Sequence, residues 1–232
     1  QPAIECTRSA FISTGQRCTC TRRLIVHKSI ADRFIAAVCK AATNLIVGDP
    51  RATHPVFMGP IISQPARTAV LDFQSAAARG GGAGAEVLVR STALDDREGW
   101  YLTPSIIRVD RFTQADSGPG SDTEIFGPLL RISIADALDA ALTQANATAF
   151  GLAASLFTKD PAAIARFLSE ARAGCLNINT GTAGASSKLP FGGLGHPGNP
   201  RPAGTFSLDY CAYPVAGMVE QGDAAQIVPG MR

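Results

Sequence analysis

Apolar residues recur at two different spacings along the chain, and each spacing predicts a different kind of element. From Ile30 to Leu45 they fall three or four positions apart, which predicts an amphipathic helix that Ser29 would cap. Shorter apolar runs between turn-forming residues predict strands. The predicted helices are 29–45, 65–79, 135–145 and 161–172, the last preceded by Asp160 and ended by Gly174, and the predicted strands are 86–89, 101–109, 129–134, 153–157, 175–178 and 210–219.

The predicted strands and helices alternate along most of the chain. Such alternation is typical of an α/β domain in which helices cover a mostly parallel sheet. No linker rich in glycine, serine or proline divides the sequence, so we expect one domain followed by a polar tail. The glycine cluster at 80–84 lacks the pattern of a phosphate-binding loop, and we interpret it as a turn between a helix and a strand.

Composition narrows the classes of protein that the chain can represent. Of its 232 residues, 46% are hydrophobic and 17% are charged, which is the balance of a globular protein rather than a disordered one. A net charge of +2 gives no reason to expect nucleic acid or an anionic membrane as a partner. No apolar run approaches the length of a membrane helix, and residues 1–5 do not resemble a signal peptide.

The cysteines and histidines give no sign of a metal site or a disulfide framework. Six cysteines occur without a C-x-x-C pair, so we expect reduced thiols in a cytoplasmic protein. The histidines His27, His54 and His196 lie far apart in the sequence, and the segment 18–20 does not have the spacing of a zinc site. We therefore expect no bound metal.

One cysteine is a candidate nucleophile. Cys18 follows a segment of small and apolar residues, 9–13, that is expected to be helical, so the thiol would lie on a partly exposed turn. A nucleophilic thiol must be accessible and easily ionised, and the neighbouring Arg17 would favour the thiolate. The alternative is that Cys18 is a small buried hydrophobic residue.

Two further segments carry candidate binding chemistry. Glu124 and Phe126 lie just before a Gly-Pro turn and a predicted strand; a carboxylate can bind a pair of ribose hydroxyls, and a ring can pack on a flat heterocycle. An ordinary strand entry is the alternative. The glycine-rich segment 190–195, followed by 199–202, is expected to have no regular structure and to be either a turn or the wall of a ligand site.

Together and in this order, these segments resemble the aldehyde dehydrogenase superfamily. The resemblance extends from about Ser9 to Val219, and no single motif carries it. It implies a three-layer αβα catalytic domain over 1–209, with an oligomerisation strand and a polar tail over 210–232, and a coenzyme-binding domain that is absent from this chain. The matching segments are Gly15–Cys18, Gly59–Ser63, Glu124–Pro128, Asn146–Leu152 and Pro190–Gly193.

The resemblance also implies roles for individual residues. Cys18 would attack the aldehyde carbon to form a thiohemiacetal, and its backbone N–H would help to bind the oxyanion. Hydride transfer to the nicotinamide would leave a thioester, which water hydrolyses. Glu124 would bind the nicotinamide ribose, Phe126 would pack near the nicotinamide, and Phe191 would lie in the loop that closes the site. The expected coenzyme is NAD, with NADP as the alternative.

Within the superfamily, the chain is most similar to members that oxidise N-succinylglutamate 5-semialdehyde in arginine catabolism. The two carboxylates of that substrate need cationic partners, for which Arg17 and Arg201 are the candidates, with Lys188 behind them. Each could instead be a solvated surface cation. Another semialdehyde, such as succinate semialdehyde, and a non-catalytic binding protein on the same fold remain as alternatives.

The resemblance finally implies what this chain needs from elsewhere. The general base and the side-chain donor to the oxyanion would belong to the absent N-terminal part, so the 232-residue chain is expected to be inactive alone. The strand 210–219 would add to a sheet of a partner subunit, which predicts a homodimer or a higher homo-oligomer.

Overall fold

A computed structural model describes residues 1–79, 84–196, 203–222 and 227–231. Residues 80–83 of the turn predicted at 80–84 and the candidate Arg201 lie outside the described residues. The helices are α1 (Pro2–Phe11), α2 (Ala31–Thr43), α3 (Gln64–Arg79), α4 (Leu138–Asn146), α5 (Pro161–Glu170) and α6 (Ser207–Cys211). The strands are β1 (Arg23–His27), β2 (Ala85–Val89), β3 (Ala93–Leu94), β4 (Tyr101–Leu102), β5 (Ser105–Val109), β6 (Leu129–Ala135), β7 (Phe150–Gly151), β8 (Ala153–Leu156), β9 (Cys175–Ile178), β10 (Pro190–Phe191), β11 (Leu194–Gly195) and β12 (Ala203–Gly204).

The largest sheet has four strands in the order β1-β6-β5-β2. β1 and β5 run parallel to β6, and β2 lies antiparallel at the edge beside β5. β5 and β6 are buried almost throughout, as central strands covered on both faces must be. A separate parallel pair, β8 and β9, follows further along the chain. The predicted α/β class with a mostly parallel sheet is confirmed.

Alternate residues of the central strands enter two different cores. Ile106 and Leu130 face the α1 and α2 side, where they pack with Val38. Their sequence neighbours Ile107 and Leu129 pack with Val70 of α3 on the opposite side. Because side chains alternate across a strand, one sheet can bury both sets beneath helices. The result is the predicted arrangement of three layers.

Contrary to the prediction, Ser29 does not cap α2. A short 3-10 turn, Lys28–Ile30, precedes the helix, which begins at Ala31. The ring of His27 competes with the cap, because its Nδ1 atom lies 2.8 Å from the Ser29 hydroxyl and accepts from the Ser29 backbone N–H. The hydroxyl is therefore paired with His27 and leaves the first turn of α2 uncapped.

Contrary to the prediction, α5 does not end at Gly174. The helix stops at Glu170, where Asn146 donates to the Glu170 carbonyl at 2.8 Å and accepts from the Arg172 N–H at 2.8 Å. The absence of a side chain at Gly174 has another cause: a Cβ there would lie 1.9 Å from the carbonyl oxygen of Gly192. Asp160 precedes the helix as predicted, and the structure shows in addition that its side chain caps the helix by accepting from the Ala162 N–H.

One prediction about the C-terminal part is wrong, and another is not met in the single chain. The glycine-rich segment 190–195 contains two short strands, because β10 pairs with β12 and β11 pairs with β7. The strand predicted over 210–219 is absent: Ser207–Cys211 is helical, and the residues after it, through 222, are exposed without regular structure. A strand is stabilised by a neighbour that accepts and donates its backbone hydrogen bonds, and no described strand lies beside this segment.

Candidate active site

The Cys18 turn, residues 13–20, leaves the end of α1 through a run of left-handed backbone. Ser13, Thr14 and Gly15 have φ angles of 52°, 58° and 67°. Such angles cost a non-glycine residue about 1–3 kcal/mol, so the surrounding contacts must stabilise the turn. One of these is the Thr14 hydroxyl, which donates to the Gly59 carbonyl at 3.0 Å. Cys18 lies exposed on the turn, as predicted.

Gln16 links the Cys18 turn to the segment after Gly59. Its side-chain amide donates to the Pro60 carbonyl at 3.3 Å and accepts from the backbone N–H of Ile62 at 2.8 Å. The far end of the turn is also fixed, because the Thr21 N–H donates to the Ser9 carbonyl at 3.1 Å. The resembling segment 59–63 therefore has a structural explanation: it supports the turn that carries the thiol.

Gly15 brings the Cys18 turn against the segment that carries Glu124 and Phe126. A Cβ atom at Gly15 would lie 2.0 Å from the carbonyl oxygen of Gly127. The two backbones can approach this closely only because position 15 has no side chain, and the left-handed φ there also favours glycine. The contact places the two segments beside each other, although they lie far apart in the sequence.

Arg22 contacts both of these segments. Its guanidinium donates to the Gly15 carbonyl and, at 3.1 Å, to the Arg17 carbonyl. Its Nε lies 3.9 Å from Glu124 Oε1, and its central carbon lies 4.5 Å from the centroid of the Phe126 ring. The Arg22 side chain is only 13% exposed, and burial lowers its pKa. The sequence analysis did not identify this residue. The signal that could have identified it is the pair of arginines, Arg22 and Arg23, at the start of a strand.

Two more arginines fix the loop that leads to Glu124. Arg23 and Arg131 are direct neighbours on β1 and β6. Both donate to the Ser121 carbonyl, and Arg23 also forms a 2.6 Å ion pair with Asp122. Arg131 donates further to the carbonyl of Thr123 at 2.8 Å, and burial lowers its pKa to about 10. These contacts fix the direction in which the chain enters 124–128, and sequence reasoning missed them too.

A cavity of about 1000 Å³ joins the predicted residues. Cys18, Arg22, Glu124 and Phe126 are among the residues that line it. The Glu124 side chain is 31% exposed and forms no hydrogen bond with the described part of the chain. Burial raises the pKa of Glu124, while the nearby Arg22 guanidinium opposes that rise. Phe126 is 44% exposed, so one part of its ring remains free to contact a ligand.

The candidate substrate-binding residues that the structure describes do not line this cavity. Arg17 is exposed, and its Nε donates to the Ser13 hydroxyl at 2.9 Å. Phe191 is half-buried in β10, and Lys188 is exposed before it. None of these three is among the described residues that line the cavity, and Arg201 falls in a part of the chain that is not described.

The described residues contain neither a metal-binding cluster nor a membrane-spanning helix. No group of three or more His, Cys, Asp and Glu side chains in them could bind a metal ion. No helix among them is both long and apolar enough to span a bilayer.

Comparison with known proteins identifies the family of the chain. Residues 2–214 match the model of the aldehyde dehydrogenase family, and the chain belongs to that family. It is 41% identical over 230 residues to the N-succinylglutamate 5-semialdehyde dehydrogenase of Sphingopyxis alaskensis, an alignment that covers 99% of this chain and 46% of that protein. A protein of the same kind from Caulobacter vibrioides, N-succinylglutamate 5-semialdehyde dehydrogenase 1, is 42% identical over 212 residues, with 91% and 43% covered.

A solved structure shows the same fold. The salicylaldehyde dehydrogenase of Pseudomonas putida G7, solved with salicylaldehyde, superposes with a TM-score of 0.79 at 26% identity over 90% of this chain and 41% of that one. The chain spans less than half the length of each of these proteins. The family and the fold are thus confirmed for this chain.

Proposed function

We propose that the complete protein containing this chain oxidises an aldehyde to a carboxylic acid, with NAD(P) as the hydride acceptor and Cys18 as the nucleophile. The observation that carries the proposal is the position of Cys18: it is exposed on a turn and lines the same cavity as Glu124 and Phe126. An accessible thiol beside groups suited to a nucleoside is the arrangement that cysteine-dependent aldehyde oxidation requires.

In this proposal the thiolate of Cys18 forms a bond to the aldehyde carbon, and the carbonyl oxygen becomes an oxyanion near the backbone N–H of the turn. The thiohemiacetal then loses its hydrogen with the bonding electron pair, and a thioester on Cys18 remains. Bound NAD(P) supplies the acceptor for that hydride. Water loses a proton to a general base as it adds to the thioester, the carboxylic acid leaves, and Cys18 is released as the thiolate.

The residues present fit the nicotinamide half of such a coenzyme. The Glu124 carboxylate has no hydrogen-bond partner among the described residues and can accept from two ribose hydroxyls. The partly exposed ring of Phe126 offers an apolar surface for the nicotinamide. Most of the coenzyme would bind to a further domain, and NAD is favoured over NADP by family analogy alone.

For the substrate we propose N-succinyl-L-glutamate 5-semialdehyde, on the basis of the relatives at 41% and 42% identity. Arg17 supports the proposal because only its Nε is used, in the bond to Ser13, which leaves other donors free for a carboxylate. Arg201 and Lys188 remain candidates for the second carboxylate, and Phe191 for the wall of the entrance. Succinate semialdehyde is the alternative substrate.

We also propose that the general base comes from outside this chain. The described cavity residues that could act as bases are His27, Asp122 and Glu124. Both ring nitrogens of His27 are paired, with Ser29 and with the Asp136 carbonyl, and Asp122 is paired with Arg23. Glu124 has the coenzyme role. The 232-residue chain alone is therefore expected not to complete the reaction.

The assembly and the compartment are proposals as well. The exposed segment after α6, with Tyr213 at 89% and Met218 at 101% exposure, would form its strand on a partner subunit and give a homodimer or a higher homo-oligomer. All six cysteines are free, which fits a reducing cytoplasm.

The decisive experiment follows NADH formation by the complete gene product with N-succinylglutamate semialdehyde and NAD. Cys18→Ala should abolish it, whereas Cys211→Ala, which removes an exposed thiol outside the cavity lining, should not. Full activity in Cys18→Ala would refute the assignment of Cys18 as the nucleophile. Turnover of succinate semialdehyde alone would retain the reaction class and reject the substrate, and Arg201→Ala would then show whether that arginine selects a dicarboxylate.

A further inference from the structure

We infer that Arg22 is a positioning residue that fixes the Cys18 turn to the segment 124–128, so that the thiol and the coenzyme-binding side chains keep one geometry. The inference rests on the proposed function, because it assigns Arg22 to the same site. Arg22 does not react in this scheme. It acts through the backbone beside Cys18 and through the side chains of Glu124 and Phe126.

The first step of the argument is how Arg22 contacts the turn. Its terminal nitrogens donate to the carbonyls of Gly15 and Arg17, which both lie in the segment that leads to Cys18. These carbonyls belong to a turn that contains two left-handed non-glycine residues. A charged donor to two of its oxygens stabilises that conformation more than a neutral side chain would.

The second step is how the same guanidinium contacts the other segment. Its central carbon lies over the Phe126 ring, 4.5 Å from the centroid, which is a cation–π contact. Its Nε–H has no acceptor in the described residues, and the nearest carboxylate oxygen, on Glu124, is 3.9 Å away. Glu124 is thus attracted toward Arg22 without being hydrogen-bonded to it, and both its oxygens stay available for hydroxyls.

The third step is why this residue must be arginine. The terminal nitrogens donate to the turn, Nε lies 3.9 Å from Glu124, and the central carbon lies over the Phe126 ring. A lysine ammonium is a point charge without a flat face or a forked set of donors, so it cannot make these contacts together. The direct backbone contact between Gly15 and Gly127 is the other link between the two segments.

The test compares Arg22→Lys and Arg22→Met with Arg108→Met in the complete protein. Arg108 is an exposed strand arginine paired with Glu86 across β2 and β5, and it is not among the described residues that line the cavity. We measure NAD affinity by fluorescence titration, kcat and the aldehyde KM separately, and the iodoacetamide rate at Cys18 relative to the exposed Cys211.

We expect both Arg22 variants to lower kcat by about ten- to a hundredfold and raise the Kd for NAD about threefold or more, because misplacement of a reacting group by about 1 Å has effects of this size. The aldehyde KM should change little, and the Cys18 to Cys211 rate ratio should shift by about threefold. Adding Phe126→Leu to Arg22→Met should raise the Kd by less than the product of the single effects, because the two residues act through one contact.

If both Arg22 variants lower only the melting temperature and otherwise match Arg108→Met, Arg22 is an ordinary structural residue and the inference is wrong. Should Arg22→Met fail to fold, Arg22→Lys decides the question. If the unmodified protein forms no NADH with any aldehyde, the proposed function fails. The Cys18 to Cys211 rate ratio then still decides whether Arg22 sets the geometry of the turn.

Discussion

Replacing Gly15 with alanine tests the close contact on which the site geometry depends. The left-handed φ of 67° at this position costs an alanine about 1–2 kcal/mol. The added methyl group would also lie 2.0 Å from the Gly127 carbonyl oxygen, so one backbone must move. Overpacking of this kind costs about 1–3 kcal/mol, which gives a total destabilisation of roughly 2–5 kcal/mol.

Gly118→Ala is the matched control for this change. Gly118 also has a left-handed φ, 97°, but a Cβ there would meet nothing within 4 Å. Both variants carry the backbone strain and the same loss of freedom in the unfolded chain, so the difference between them isolates the contact with Gly127.

The assay is thermal unfolding of the 232-residue chain, together with the alkylation rate of Cys18. For a domain of this size 1 kcal/mol shifts the melting temperature by roughly 2–4 °C, so Gly15→Ala should melt about 3 °C or more below Gly118→Ala. The Cys18 rate should change only in Gly15→Ala, because only that variant displaces the turn. Equal melting temperatures and equal rates for the two variants would refute the reasoning.

Three further predictions concern other parts of the molecule. At pH 8, iodoacetamide should modify the exposed Cys18 and Cys211 first and Cys6 last, as mass spectrometry of quenched samples will show, because burial raises the pKa of Cys6 to about 12 and leaves about one thiolate in ten thousand. The fold favours protonated Cys6, so this stabilisation is complete below the ordinary thiol pKa and is lost as the pH rises through about 12; early labelling of Cys6 would contradict its burial. Gln74→Leu should lower the free energy of unfolding by about 2–4 kcal/mol in urea titrations, since it leaves the buried N–H and carbonyl of Ser91 without partners, and an effect below about 1 kcal/mol would show that water replaces the amide. Asp160→Ala should lower the free energy of unfolding by about 1 kcal/mol in the same titration, because it removes the cap of α5. Asp160→Asn should retain most of that stability, and equal losses in the two variants would argue against capping.

Elements defined by local sequence were predicted closely. The helix expected at 65–79 is observed over Gln64–Arg79, and the strand at 175–178 is observed unchanged. Proline in the first turn and a bounded apolar run are signals that lie within the element itself. Cys18 on an exposed turn was predicted for the same reason: the residues that determine the turn are its neighbours.

Contacts between distant parts of the chain could not be predicted in this way. Arg23 and Asp122 are separated by 99 positions, and neither carries a local pattern that indicates its partner. Ser29 illustrates the same difficulty at short range, because the sequence gives both a cap and a competing ring at His27. The prediction for the segment after 210 differs from the structure for another reason. A strand depends on a neighbouring strand, which a single chain need not contain.

The arginines beneath the entry to Glu124 bind mainly main-chain oxygens. Arg131 donates to the carbonyls of Pro119, Ser121 and Thr123, and every amino acid supplies such a carbonyl. The identity of the side chains at 119 and 123 is therefore only weakly constrained by these bonds, whereas the number of residues in the loop is constrained strongly. Homologous loops can thus diverge in sequence and still present the carboxylate at the same place, but a single inserted or deleted residue would move it.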